Sequence, residues 1–299
     1  MKNKNIPLVI ILLLTIVSCG EKPGEEQPEP LLSQPELITD GYRFTEGPFW
    51  HPDGFLLFSD IPANRVYKWT PGEGSDVFIE PSGNSNGIAA DTDGHIVLAQ
   101  HAGTVSRLTE EGELRVIADS YEGKRLNSPN DLAVHPTGAI FFTDPPFGVS
   151  EEEKELEFSG VYKLTPSGDL QLIYDQFTHP NGITFSPDKS RLYVNDSRTG
   201  DVIFFETDQD GNTGNPTTFA NIGEMTEKGG ADGMKTDNAG NLYTTGPNGI
   251  LVYNIDGDLI YKTEFEEQIT NLAWGGPNGK DLFLTASSNV YRFDVNIPE

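Results

Sequence analysis

Six times along this chain the same phrase returns: a short strand pattern, a tight turn, and a second strand. The copies are EGPFWHPDGFLLFSD from Glu46, NGIAADTDGHIVLAQ from Asn86, NDLAVHPTGAIFFTD from Asn130, NGITFSPDKSRLYVND from Asn181, DGMKTDNAGNLYTT from Asp232 and NLAWGGPNGKDLFLTA from Asn271. Repetition of this kind constrains a fold more tightly than local propensity, because every copy must become the same unit. Aligned on the turn residue (Gly54, Gly94, Gly138, Lys189, Gly240, Gly279), the copies are separated by 40, 44, 51, 51 and 39 residues. Such periods, with several strands in each, are those of β-propeller blades. Further strand patterns lie between the copies, at Arg65–Trp69, Val77–Ile79, Thr104–Leu108, Arg115–Ala118, Gly160–Leu164, Leu170–Tyr174, Val202–Glu206, Ile250–Asn254 and Leu259–Thr263. Two extra strands per copy predict four-stranded antiparallel blades. Six copies predict an all-β, six-bladed propeller.

The last copy is followed by a single strand pattern, Val290–Val295, one short of a full blade. Pro35–Thr39 precedes the first copy and has no blade of its own, so it is expected to complete the last blade and leave no open sheet edge. The propeller is thus expected to run from residue 35 to residue 299. The loops after each blade are expected to be short.

Eight places before each turn residue stand Glu46, Asn86, Asn130, Asn181, Asp232 and Asn271. All are carboxylates or carboxamides. At the start of the innermost strand of each blade they would form a ring at one mouth of the central channel. A converging set of oxygen donors without Cys or His suits Ca2+ before Mg2+ or Mn2+, and matches Zn2+ or copper poorly. A second explanation stays open. Gly follows the column residue in four copies, and Asn-Gly or Asp-Gly would recur equally in a repeated turn. His51 and His135, each preceding a turn Pro, are expected to serve the turn, and Trp50, Trp69 and Trp274 to pack between blades.

The formal charge of −26, from 20 basic and 46 acidic residues, repels phosphate backbones and argues against a nucleic-acid partner. Residues 1–18 have the form of a signal peptide: Lys2 and Lys4 lead into the apolar run Ile6–Val17, which is short for a bilayer span. The sequence around Cys19, Ile16-Val17-Ser18-Cys19-Gly20, resembles a bacterial lipobox, with Cys19 the site of lipidation and the cell envelope the expected location. Cys19 is the sole cysteine, so the folded domain has no disulfide. Residues 20–34, rich in Pro and Glu, read as a disordered tether.

The phrases TEGPFW, NSPNDL, FTDPPFG, PNGITFSPD, LYVND and GGADGMK, in this order along Pro35–Phe293, resemble the family of senescence-marker protein (regucalcin), gluconolactonase and luciferin-regenerating enzyme. The resemblance implies a six-bladed propeller holding one divalent metal, usually calcium with Mg2+, Mn2+ or Zn2+ as other occupants, and in many members hydrolysis of sugar lactones. It assigns metal ligation to Glu46, Asn181 and Asp232, and places Asn130 beside the metal as a further ligand or substrate contact. One position departs: animal lactonases of the family carry an Arg two places before this Asn, where Ser128 stands here.

On these expectations a monomer would open a small lactone. Asp232 would be the general base, with Asp144 or Asp196 as acids that could share the task, while Asn130 and Asn86 orient substrate and His101 lines the pocket. The alternatives are a paraoxonase-like hydrolase of aryl esters or organophosphates, and a non-catalytic binding propeller with structural calcium.

Overall fold

The computed structural model describes residues 31–223, 226 and 229–295. The signal-peptide and lipidation expectations, Cys19 included, lie outside the described residues. Within the described residues there is no helix, and none therefore long and apolar enough to cross a membrane.

A strand β1 (Glu36–Asp40) opens the fold. Blade one follows as β2 (Thr45–His51), β3 (Phe55–Asp60), β4 (Arg65–Thr70) and β5 (Gly74–Ile79), and blade two as β6 (Ser85–Ala90), β7 (Ile96–Gln100), β8 (Thr104–Leu108) and β9 (Leu114–Ala118). A small hairpin, β10 (Ser120–Tyr121) and β11 (Lys124–Arg125), leads to blade three: β12 (Leu132–Val134), β13 (Ile140–Asp144), β14 (Gly160–Leu164) and β15 (Leu170–Tyr174). Blade four is β16 (Pro180–Phe185), β17 (Arg191–Asp196), β18 (Asp201–Thr207) and β19 (Thr213–Asn221). Blade five is β20 (Met234–Thr236), β21 (Leu242–Gly246), β22 (Gly249–Tyr253) and β23 (Leu259–Glu264). Blade six has β24 (Ile269–Gly275), β25 (Asp281–Ala286) and β26 (Asn289–Asp294), with β1 as its outermost strand. All six blades are four-stranded antiparallel sheets. The ring is therefore closed by the strand expected ahead of the first copy.

The hydrophobic core is divided among six blade interfaces. The second strand of each blade buries both faces, which is why its residues read as unbroken apolar runs. Leu57 packs with Ile88 and Leu98 of blade two, while Leu56 and Phe58 pack with Phe283 and Val290 of blade six. Val97 and Ala99 meet Leu132 and Phe142, and Phe141 and Val161 meet Ile183 and Val194. Tyr193 and Val202 meet Met234 and Leu242, and Tyr243 and Val252 meet Leu272 and Leu284. Each buried side chain contributes about 1.5–3 kcal/mol to holding neighbouring blades together. Trp50 stacks on Phe283 at 5.0 Å and Trp274 meets Tyr243 edge-on at 4.9 Å, both across blade boundaries. His51 and His135 accept turn N–H groups at Asp53 and Thr137.

Three differences from the sequence-based expectations bear on the site. Blade four has a fourth strand, β19, that the sequence pattern did not reveal; it is polar, exposed and contains Pro216. Packing begins before Pro35: Leu32 is buried in the core between blades five and six and bridges Val295. Nor are all the loops after a blade short, since 119–131 separate β9 from β12, and one connection inside blade three is long as well. Residues 145–159 join β13 to β14, against 61–64, 101–103 and 197–200 at the same place in blades one, two and four. Leu156 anchors that long loop in the core, and Glu155 accepts the Arg125 N–H at 2.7 Å.

Candidate metal centre and active site

The six inner strands converge on the channel, and their opening residues are fixed there by two repeated contacts. The first is a hydroxyl or amide late in the second strand of one blade, which donates to the main-chain carbonyl of the column residue in the next. Ser59 Oγ donates to Asn86 at 2.8 Å, Thr143 Oγ1 to Asn181 at 2.7 Å, and Asn195 Nδ2 to Asp232 at 2.7 Å. The second contact is a close approach. The glycine after the column residue abuts the next blade so tightly that a Cβ on Gly47 would fall 1.9 Å from the Asn86 carbonyl oxygen, and one on Gly182 2.2 Å from that of Asp232. These glycines are therefore required by strand-to-strand contact around the ring. A repeated turn does not explain them.

Five of the column residues, Glu46, Asn86, Asn130, Asn181 and Asp232, line one cavity of about 310 Å3 with His101. All five are buried. The sixth, Asn271, does not line it: its Nδ2 donates to Glu46 Oε2 at 3.1 Å, and Gly47 N–H donates to the same oxygen at 2.8 Å. Asn271 thus holds Glu46 in place from behind. Asn86 Oδ1, Asn181 Oδ1 and Asp232 Oδ1 are buried without a hydrogen-bond partner. Buried oxygens cost free energy when unpaired, so three of them around one cavity call for a cationic or donor-bearing occupant.

The electrostatics agree. Burial pushes the Glu46 carboxyl up to about 7, opposed by the Gly47 and Asn271 hydrogen bonds, with the negative charge of Asp131 adding to the rise. Asp232 is also raised well above the ordinary range, by burial first and then by the charges of Glu46 and Asp131. Two carboxyls crowded into a dry site relax when a cation arrives, and neutral amide oxygens complete its shell without excess charge. The donor set is all oxygen and fits a hard divalent ion.

His101 stands 3.2 Å from Asn86 Nδ2 through its Nε2, and burial lowers its pKa to about 4, which keeps the ring neutral at pH 7. Asp144 and Asp196 do not reach the cavity. Asp144 accepts Asn127 N–H at 2.8 Å, and Asp196 accepts the N–H groups of Thr178, His179, Arg198 and Thr199. Asp60 does the same for Arg43 and Phe44. Acids at the end of these second strands pin the segment that leads into the inner strand, while Asp144 Oδ1 stays buried without a partner. Ser128 is buried too and donates to the Pro145 carbonyl at 2.6 Å.

The cavity wall was not foreseen. Phe44, Ile61, Pro62, Phe147 and Gln268 form it, all from connections outside the repeat. These side-chain contacts could have been found, since Ser59, Thr143 and Asn195 fall thirteen or fourteen places after their column residues. A second acidic group, Asp91, Asp93 and His95, gathers its ligand atoms within 4.8 Å of one another. It is a turn: Asp91 Oδ1 accepts the N–H of Asp93 and His95, and its Oδ2 pairs with Arg107 at 2.7 Å. The same bonding recurs at Asp208 and Asp237.

Residues 44–288 match the family described as SMP-30/Gluconolactonase/LRE-like region. The chain is 36% identical to a gluconolactonase of Zymomonas mobilis over 86% of its length and 80% of that protein's, and 27% identical to a pentonolactonase of Haloferax volcanii over 84% of each. A solved gluconolactonase of Xanthomonas campestris superposes with a TM-score of 0.79 at 30% identity, over 88% of this chain and 89% of that one. A calcium-binding regucalcin of Agrobacterium tumefaciens shares the fold, with a TM-score of 0.74 at 19% identity over 87% and 92% of the two chains.

Proposed function

This chain belongs to the SMP-30/gluconolactonase/LRE-like family, and on that footing we propose that it hydrolyses a small sugar lactone such as an aldonolactone, using a divalent cation, calcium first, held by Glu46, Asn181 and Asp232 with Asn130 beside it. The observation that carries this reading is the set of unpartnered buried oxygens, Asn181 Oδ1 and Asp232 Oδ1 among them, in a cavity that also contains Glu46. At about 310 Å3 the cavity is at the small end of ligand sites, the right scale for a single sugar ring.

When bound, the cation supplies Lewis-acid polarisation of the ester carbonyl, worth several kcal/mol as charge develops on its oxygen. The remaining work falls to the side chains. Asp232, whose Oδ1 has no hydrogen-bond partner, would accept a proton from the attacking water, a task that ligation of the cation makes harder by depressing its basicity. Glu46 Oε2 is already committed to Gly47 and Asn271, which leaves Asp232 the better base of the pair. Asn130 and Asn86 offer amide groups to the lactone, and neutral His101 accepts at Nε2, turning Asn86 Oδ1 toward the cavity. The apolar wall of Phe44, Ile61, Pro62 and Phe147 excludes bulk water.

That wall also favours a second reading, in which an aryl ester takes the lactone's place. A pH-stat assay on a panel of aldonolactones and aryl esters, with and without a chelator, separates the two. The expected outcome is lactone turnover that falls at least about a hundredfold on chelation and returns with calcium. Turnover unaffected by chelation would remove the metal from the chemistry, and calcium-dependent folding with no turnover would leave a binding propeller.

We also propose that Cys19 is lipidated, which would hold the domain at the bacterial cell envelope on the tether that follows. Palmitate labelling in the producing cell should mark the wild-type chain and not Cys19→Ser. Equal labelling of both would end this proposal.

A further inference from the structure

Two positions of the inner strands break the repeat, and they break it together. One residue past the column, the chain has Gly47, Gly87, Gly182 and Gly233, an apolar Leu272, and in blade three Asp131. Three residues past the column it has Phe49, Ala89, Ala133, Thr184 and Trp274, and in blade five Lys235. The acid and the base are the only charged members of their columns, and they face each other: Lys235 Nζ lies 3.7 Å from Asp131 Oδ2. Blade four stands between their blades and has Gly182 at the Asp131 position, so the pair spans the channel past a residue with no side chain.

Both groups are held. Asp131 is buried, its Oδ1 accepts Leu132 N–H at 2.8 Å, and its Oδ2 has no hydrogen-bond partner. Lys235 is about one quarter exposed and donates to the Met234 carbonyl at 3.1 Å. Neither lines the cavity; both sit further along the inner strands, behind the oxygen ring. Their charges are nevertheless felt there. Asp131 directly follows the ring residue Asn130 and abuts Gly87, and Lys235 lies three residues past Asp232.

Resting on the metal reading above, we propose that the Asp131–Lys235 pair sets how tightly the ring holds its divalent cation, with Lys235 as a positioning residue that offsets the third carboxylate. Without Lys235, three acids would face one dication. With it, the two ring carboxylates balance the ion and the pair behind them is neutral. Removing either partner alone therefore moves affinity in opposite directions, and removing both returns it close to the start.

The test is calorimetric titration of calcium into metal-stripped protein, with thermal unfolding in chelator as a folding control. Lys235→Met should bind calcium on the order of tenfold more tightly, and Asp131→Asn on the order of tenfold more weakly. The double variant should fall within about threefold of wild type, as the coupling of a contacting pair requires. Lys235→Arg, which keeps the charge, should also stay near wild type. Lys235→Met decides the matter if Asp131→Asn fails to fold. Calcium affinity unchanged in a folded Lys235→Met overturns the role given to the pair and leaves the metal centre standing. A wild-type protein that binds no calcium overturns both.

Discussion

Asp232→Asn is expected to lower kcat/KM on a sugar lactone by about three orders of magnitude or more, close to 4 kcal/mol of transition-state stabilisation. The substitution keeps the shape of the side chain and the main-chain bonds of residue 232, to Thr245 Oγ1 and Asn195 Nδ2, so the strand should stay in place. It removes half the ring's negative charge and the proposed base in one step. Glu46→Gln is the informative partner. Glu46 Oε2 is engaged by Gly47 and Asn271, so in the proposed mechanism this residue would serve the cation more than the proton. Its loss should appear as weakened metal binding, roughly a hundredfold, with much of the rate restored at saturating calcium. Asp232→Asn should bind calcium weakly and also stay slow at saturation. Steady-state rates across a calcium series separate the two behaviours. An Asp232→Asn protein within tenfold of wild type at saturation would free Asp232 from the role of base.

What could be foreseen here divides along a physical line. The blades and the oxygen column were legible because they repeat, and six aligned copies amplify a pattern that one copy leaves ambiguous. Closure by residues ahead of the first copy followed from counting strands. Features that occur once were hidden. β19 escaped because an outer strand buries little, and TGNPTTFAN shows neither apolar alternation nor a run. Residues 145–159 looked like any acidic surface segment, yet they place Phe147 on the cavity wall. Asp144 and Asp196 were candidates for proton transfer on residue type alone. Their carboxylates instead accept main-chain N–H groups, a use of Asp that composition cannot distinguish from catalysis. The glycines after the column were ambiguous between turn and ring until the close approach of adjacent inner strands gave them a reason.

The ring's own carboxyls supply a second large effect, in stability. In metal-free protein, burial holds Glu46 near 7 against an ordinary value of 4.5 and raises Asp232 in the same direction. A carboxyl whose folded pKa is raised binds its proton more tightly folded than unfolded. Its contribution is complete below about pH 4.5 and is lost as pH rises through about 7. Chelated protein should therefore unfold at a distinctly lower temperature at pH 8 than at pH 5.5, with Glu46 alone accounting for about 2 kcal/mol. Calcium should reverse the loss at pH 8, where both carboxyls are ionised and need a counter-charge, and do little at pH 5.5, where protons compete with it. Other groups act in the same window: Asp281 is also raised by burial, and His101, lowered by burial, opposes by costing stability as pH falls through its ordinary 6.5. Asp144, raised by burial to about 7, destabilises as it ionises, and the charge of −26 grows more repulsive. Neither lies at the ring, so neither should respond to calcium in this way. Glu46→Gln isolates the ring: it should flatten part of the chelated profile and shrink the calcium-dependent gain at pH 8. Differential scanning calorimetry at the two pH values, with chelator or calcium, reads all of this directly. A calcium gain no larger at pH 8 than at pH 5.5 would mean that Glu46 and Asp232 do not share an ion.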